Sequence, residues 1–134
     1  MPKHLFLEPR RLIGKLIGAN MNSTADQAIT IVDIADYPSS KYIITSTDIY
    51  VTNASISLTT AAGGIYTAAS KSGAIVSAAQ TYSALTTSNK YIRANITGDA
   101  TTDLLAFSTL YLSLTTPQGA AATADIYIFG QLLQ

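Results

Sequence analysis

The residues that could do chemistry in this chain are few and far apart. His4 is the single histidine and there is no cysteine, so neither a thiolate metal site nor a disulfide can form. A nucleophilic triad or a His-based metal centre needs its imidazole held in place by a partner. His4 stands instead in a leader between Lys3 and Leu5, among residues that promise no pocket. The carboxylates are Glu8 and seven Asp. Asp33 with Asp36, or Asp99 with Asp103, could form the carboxylate pair that glycoside hydrolysis requires. Both pairs flank turn-forming residues, where Asp ordinarily accepts hydrogen bonds from nearby backbone amides.

The remaining motifs weaken in the same way. Gly98-Asp99-Ala100-Thr101-Thr102-Asp103 offers two carboxylates and two hydroxyls for calcium, without the Glu or the spacing of a known calcium loop. Gly63-Gly64 is not followed by the Gly-Lys-Ser of a phosphate loop. Asn22, Asn53 and Asn95 each start an Asn-x-Ser/Thr triplet, a chance event in a chain so rich in Ser and Thr. The expectation is therefore no enzyme, no cofactor and no metal. Eight tyrosines are the one binding resource, at positions 37, 42, 50, 66, 82, 91, 111 and 127. Tyr couples apolar area to a hydrogen-bonding tip, which suits protein interfaces and sugar platforms, and it is also a good strand former.

The elements that must position these residues read as strands. From about residue 28 onward, runs rich in Ile, Val, Tyr and Thr alternate with small polar residues and are cut by Gly, Pro, Ser and Asn. Strands are expected at 28–34, 41–45, 48–60, 65–69, 74–78, 81–85, 90–97, 106–115 and 123–129, with 73–85 also readable as a short Ala-rich helix. In 48–60 the apolar face changes near Asn53, which suggests a bulge or a crossing between sheets. In 106–115 the alternation turns Leu110, Leu112 and Leu114 inward. In 123–129 it does the same for Ala124, Ile126 and Ile128. Gly63-Gly64 reads as a turn, as do Lys71-Ser72-Gly73 and Pro117-Gln118-Gly119. Ser57-Leu58-Thr59-Thr60 returns 56 positions later as Ser113-Leu114-Thr115-Thr116, each copy closing one of the long runs and followed by a Gly. Such a repeat hints at two similar halves, as in the paired Greek keys of a jelly roll. Taken as about eight strands, these runs predict an all-β, eight-stranded jelly-roll sandwich over residues 21–134.

Residues 1–20 look different. Leu12, Ile13, Leu16 and Ile17 have helical spacing, but Gly14 and Gly18 argue for an extended N-terminal arm with apolar anchors. Lys3, Arg10, Arg11 and Lys15 against Glu8 give this segment a charge of +3, and the remainder of the chain carries −3. The arm is either a solvated leader or a segment that docks on an acidic neighbour. Charged residues are 12% of the chain, about half the usual share, and the net charge is zero. Such a surface does little to keep copies apart, which favours life in an assembly. No apolar run reaches membrane-spanning length, and the opening residues lack the apolar stretch of a signal peptide. Basic residues are too dispersed for a nucleic-acid track. The chain reads as an unprocessed product of the cytoplasm.

The stretch Leu110-Tyr-Leu-Ser-Leu-Thr-Thr-Pro-Gln-Gly-Ala-Ala-Ala-Thr-Ala-Asp-Ile-Tyr-Ile-Phe-Gly130 resembles the carboxyl-terminal hairpin of small tailed-bacteriophage virion proteins, the capsid decoration or cement proteins. A looser likeness extends back through 48–64. The resemblance implies a jelly roll that forms trimers over joints of the major capsid protein on the outer surface of the virion, with no enzymatic activity. Leu5, Phe6, Leu7, Arg10, Arg11 and Leu12 of the arm, with Tyr111 and Tyr127, are the candidate partner-binding residues. A fibre or tail adhesion domain and a carbohydrate-binding module are the alternative readings. The absence of Trp and of heptad stretches counts against them.

Overall fold

The computed structural model describes residues 9–31, 41–44, 48–96 and 105–133. Its described residues form nine strands and no helix: β1 (Arg11–Asn20), β2 (Gln27–Ile31), β3 (Lys41–Ile43), β4 (Ile49–Thr52), β5 (Ala62–Ala68), β6 (Ser72–Thr81), β7 (Tyr91–Arg93), β8 (Thr109–Thr116) and β9 (Thr123–Leu133). Pairing is antiparallel throughout. It is also nested, since β1 pairs β9, β2 pairs β8, β4 pairs β7 and β5 pairs β6. Two further pairings, β4 with β9 and β5 with β8, set these hairpins side by side. The result is two four-strand runs, β1-β9-β4-β7 and β2-β8-β5-β6, while β3 pairs the end of β9. Among the described residues, strand pairing joins the runs only where Gly14 and Lys15 of β1 meet Ile31 and Thr30 of β2. So short a seam lets the sheet curl into a half-barrel.

The core lies inside this curl. Ile126 and Ile128 of β9 pair with Val51 and Ile49 of β4, and all four are essentially inaccessible to solvent. Leu110, Leu112 and Leu114 of β8 are fully buried from the other run, as expected from their alternation. Both sets belong to one apolar cluster with Ile13, Ile29, Ile65 and Val76. Period-two alternation suffices here because each strand has one wet and one dry face.

Residues 11–20 correct the expectation of an arm. They form β1, which lies inside the sheet between β2 and β9. Register shifts between Leu12 and Gly14 and between Leu16 and Ala19 explain the misleading pattern. Each shift adds a residue, so the inward positions fall at Ile13, Leu16 and Ala19, while Leu12 and Ile17, which complete the helical spacing in the sequence, are exposed. Gly18 sits in the second irregularity at φ 69°, where a side chain would be strained.

Gly63-Gly64 is a second correction, for both lie inside β5 and not in a turn. A Cβ on Gly63 would meet Leu114 Cα and Ser113 O at 2.6 Å, and one on Gly64 would meet Ser77 O at 2.5 Å. The glycines therefore allow β8 and β6 to approach β5 closely. The run expected over 48–60 stops as a strand at Thr52, because Asn53 takes a positive φ of 52°. The burial phase does switch there, from Ile49 and Val51 to Leu58. Consequently the first Ser-Leu-Thr-Thr copy belongs to the crossing that precedes β5 and does not close a strand. The region 73–85 is the strand β6 up to Thr81 followed by an irregular segment, so the helical reading fails. The hairpin from β5 to β6 is made by Ser70, Lys71 and Gly73 at φ 59°, 57° and 72°.

The two Ser-Leu-Thr-Thr copies meet at one end of the fold. Gln118, just past the second copy, accepts at Oε1 from the backbone N–H groups of Thr59, Thr60 and Ala61 at 3.0–3.2 Å. Its Nε2 donates to Thr59 Oγ1, and Thr60 Oγ1 donates to the Gln118 carbonyl. One largely buried side chain thus ties the crossing from β4 to the turn between β8 and β9.

Candidate functional site

The outward positions of β1-β9-β4-β7 bring exposed apolar and cationic side chains together. Register builds this face in rows. Leu12 stands opposite Phe129. Lys15, Tyr127, Tyr50 and Arg93 form a second row across β1, β9, β4 and β7. Asp125, Thr52 and Tyr91 form a third. Tyr91 is 52% exposed and Leu12 40%, large values for apolar side chains on a sheet.

The rings are ordered by one another and by two guanidinium groups. Tyr50 lies edge-on to Phe129 at 5.8 Å and tilted to Tyr91 at 6.0 Å. Arg10 stacks over the Phe129 ring at 4.5 Å, and Arg93 lies over Tyr50 at 5.8 Å. Arg10 also donates a short hydrogen bond to Asp48, whose side chain is fully buried. That bond holds the guanidinium more firmly in its charged form than usual. The Asp48 carbonyl accepts from Phe129 N–H at 2.7 Å, so Arg10 is anchored to both β9 and the start of β4. Between these groups lies a shallow hollow of about 390 Å³ lined by Arg10, Tyr50, Thr52, Tyr127 and Phe129. Thr52 Oγ1 is buried on this face and has no hydrogen-bond partner among the described residues.

Charge on this face is lopsided. Asp125 is occupied, its Oδ1 accepting from Gly18 N–H at 2.8 Å and its Oδ2 from Asn53 Nδ2 at 3.1 Å. Asp48 is paired with Arg10. Lys15 and Arg93 remain as the cations of the central row. Apolar rings beside arginines, with few carboxylates, are the composition of a protein contact centre.

Of the candidate partner-binding residues, Arg10, Leu12 and Tyr127 come together here. Arg11 is exposed nearby, opposite Gly130. Tyr111 lies on the other run of strands, opposite Ala28 and Tyr66. Leu5, Phe6 and Leu7 lie outside the described residues, as do His4, the pairs Asp33/Asp36 and Asp99/Asp103 and the loop 98–103. Tyr50 and Tyr91 stand in the sequence only among the eight tyrosines, and nothing there singles out Arg93 or Phe129 as binding residues. Alternation places Tyr91 with Arg93, and Tyr127 with Phe129, on outward faces, but only register shows that those faces adjoin. Two other tyrosines serve the fold. Tyr42 and Tyr82 are buried, their hydroxyls donating to the carbonyls of Phe107 and Gly63, and burial pushes both well above the ordinary phenol range.

Comparison with protein-family models, curated proteins and solved structures returned no match for this chain.

Proposed function

We propose that this chain is a jelly-roll structural virion protein, a capsid decoration or cement protein that binds the major capsid protein on the outer surface of a tailed-phage shell. The observation that carries the reading is the strand pairing. Setting aside the short β3, the eight remaining strands pair first with last, second with seventh, third with sixth and fourth with fifth. That nesting, split into two four-strand runs, is how a jelly roll wraps a long hairpin into a sandwich, an architecture of viral capsid and lectin domains. The resemblance of 110–130 to decoration proteins chooses among them.

The two runs suit a tile that contacts both a shell and its own copies. Strands β2, β5, β6 and β8 contain no Asp, Glu, Lys or Arg. An uncharged surface can meet its own copy without setting like charges face to face, so this run is the side on which copies associate, as trimers. The aromatic and cationic face of the other run is left for the shell. The chain is made in the host cytoplasm and acts without cofactor or catalysis.

The test is co-sedimentation of the purified chain with capsid shells lacking it, followed by heating of the shells. Saturable binding that raises the temperature of shell disruption is the expected result. A chain that stays in the supernatant at every salt concentration contradicts the proposal.

A further inference from the structure

We infer that the β1-β9-β4-β7 face takes a segment of a partner protein that is both acidic and apolar, its carboxylates meeting Lys15 and Arg93 and an apolar side chain entering the hollow beside Tyr127. The inference deepens the reading of this face as the shell-binding one.

Charge complementarity is the first reason. The chain is neutral as a whole, yet the carboxylates on this face already have partners within the chain: Asp48 with Arg10, Asp125 with Gly18 and Asn53. Among the described residues of this face, Arg10, Lys15 and Arg93 outnumber Asp48 and Asp125, so an incoming carboxylate meets a net positive charge centred on Lys15 and Arg93. Arg93 is pre-ordered over Tyr50, which lowers the ordering cost of binding. Thr52 Oγ1 adds a hydroxyl at the floor that lacks a partner among the described residues.

Ring geometry separates this occupant from two others. Sugars and nucleic-acid bases stack on flat, open ring faces. Here a guanidinium lies over the Phe129 ring and another over the Tyr50 ring, and Phe129 meets Tyr50 edge-on. Those two rings offer edges and neighbouring N–H donors more than open platforms. Aliphatic side chains and carboxylates fit such a surface.

The experiment uses the full chain and a fluorescein-labelled short peptide composed of Asp, Glu, Leu and Val, against the same peptide with Lys and Arg replacing its acids. The acidic peptide should bind about tenfold tighter or more, and the preference should fade at high salt. Lys15→Glu with Arg93→Glu should abolish the preference while leaving the circular dichroism melt unchanged. Should the double variant not melt cooperatively, Arg93→Gln alone should still weaken acidic-peptide binding. Equal binding of both peptides, or a preference untouched by these variants, overturns the inference. So does a gain of self-association, oligodeoxythymidine binding or glycan binding that depends on the same residues, since the face would then take another occupant. Acidic-peptide binding without shell binding would leave this inference standing and refute the proposed function.

Discussion

The two four-strand runs share one core and differ sharply outside it. On the β2-β8-β5-β6 side, Ala28, Tyr111, Tyr66 and Ile75 form one row across four strands that contain no charged residue. Tyr66 is only 7% exposed although it belongs to the outward set. Its hydroxyl comes within 3.1 Å of where a Cβ on Gly64 would stand, so the ring lies along the sheet and covers the glycine. On the β1-β9-β4-β7 side the aromatic side chains instead cluster with Arg10, Lys15 and Arg93 and leave a hollow. The same residue type thus does opposite work. Tyr66 seals a weak point of the sheet, whereas Tyr91 stands out from it. Composition alone cannot separate these roles; strand register and neighbouring glycines decide them.

The largest effect should come from breaking the seam between the runs. Removing residues 1–19 takes away nearly all of β1, the strand through which the two runs connect. The shortened chain should show no cooperative melt by circular dichroism. A cooperative, β-rich product would mean that the runs hold together without β1.

The inner layers should not share the asymmetry of the outer faces. Leu112→Ala in β8 and Ile126→Ala in β9 each empty a fully buried site and should each cost about 2–5 kcal/mol in urea unfolding. Tyr91→Ala should stay within about 0.5 kcal/mol, because its ring is half in solvent. Equal losses for Ile126→Ala and Tyr91→Ala would mean that the outward assignment of the aromatic row is wrong.

Gln118→Ala tests what joins the ends of the runs. The substitution leaves the amides of Thr59, Thr60 and Ala61 without their shared acceptor and should cost about 1–3 kcal/mol. Hydrogen exchange of those three amides should quicken, while the amides of β9 keep their protection.

The smallest effect concerns pH and falls on the uncharged run alone. Asp26, just before β2, accepts from Ser70 N–H in the β5–β6 hairpin at 2.7 Å, and this bond holds its carboxyl below the usual range. A depressed folded pKa means that its contribution is present above the ordinary carboxylate pKa and is lost as pH falls through the folded value. Asp26→Asn should therefore lower stability slightly near neutrality and flatten the acid limb of the stability curve, the difference from the parent chain shrinking in melts at falling pH.

Much of the sheet was legible in the sequence where one face is wet and the other dry. Leu110, Leu112 and Leu114, and Ala124, Ile126 and Ile128, announce their phase without help. Legibility failed where a backbone irregularity changes the count. The two register shifts in β1 turned its alternation into a false helical spacing, and Gly63-Gly64 looked like a turn because close strand packing and turns ask for the same residue. The candidate face was half legible. Arg10, Leu12 and Tyr127 were picked out for charge, apolarity and aromaticity, but their union with Tyr50, Tyr91 and Arg93 depends on β4 lying between β7 and β9, a long-range pairing that no local pattern encodes.

In the proposed assembly one run faces the shell and the other faces neighbouring copies. Electron cryomicroscopy of the purified source particle tests it most directly. Density for this chain is expected on the outer surface, with β1, β9, β4 and β7 against the major capsid protein and the uncharged strands turned toward adjacent copies. A particle without the chain, or one that seats the uncharged run on the shell and leaves Tyr91 and Arg93 in solvent, would contradict it.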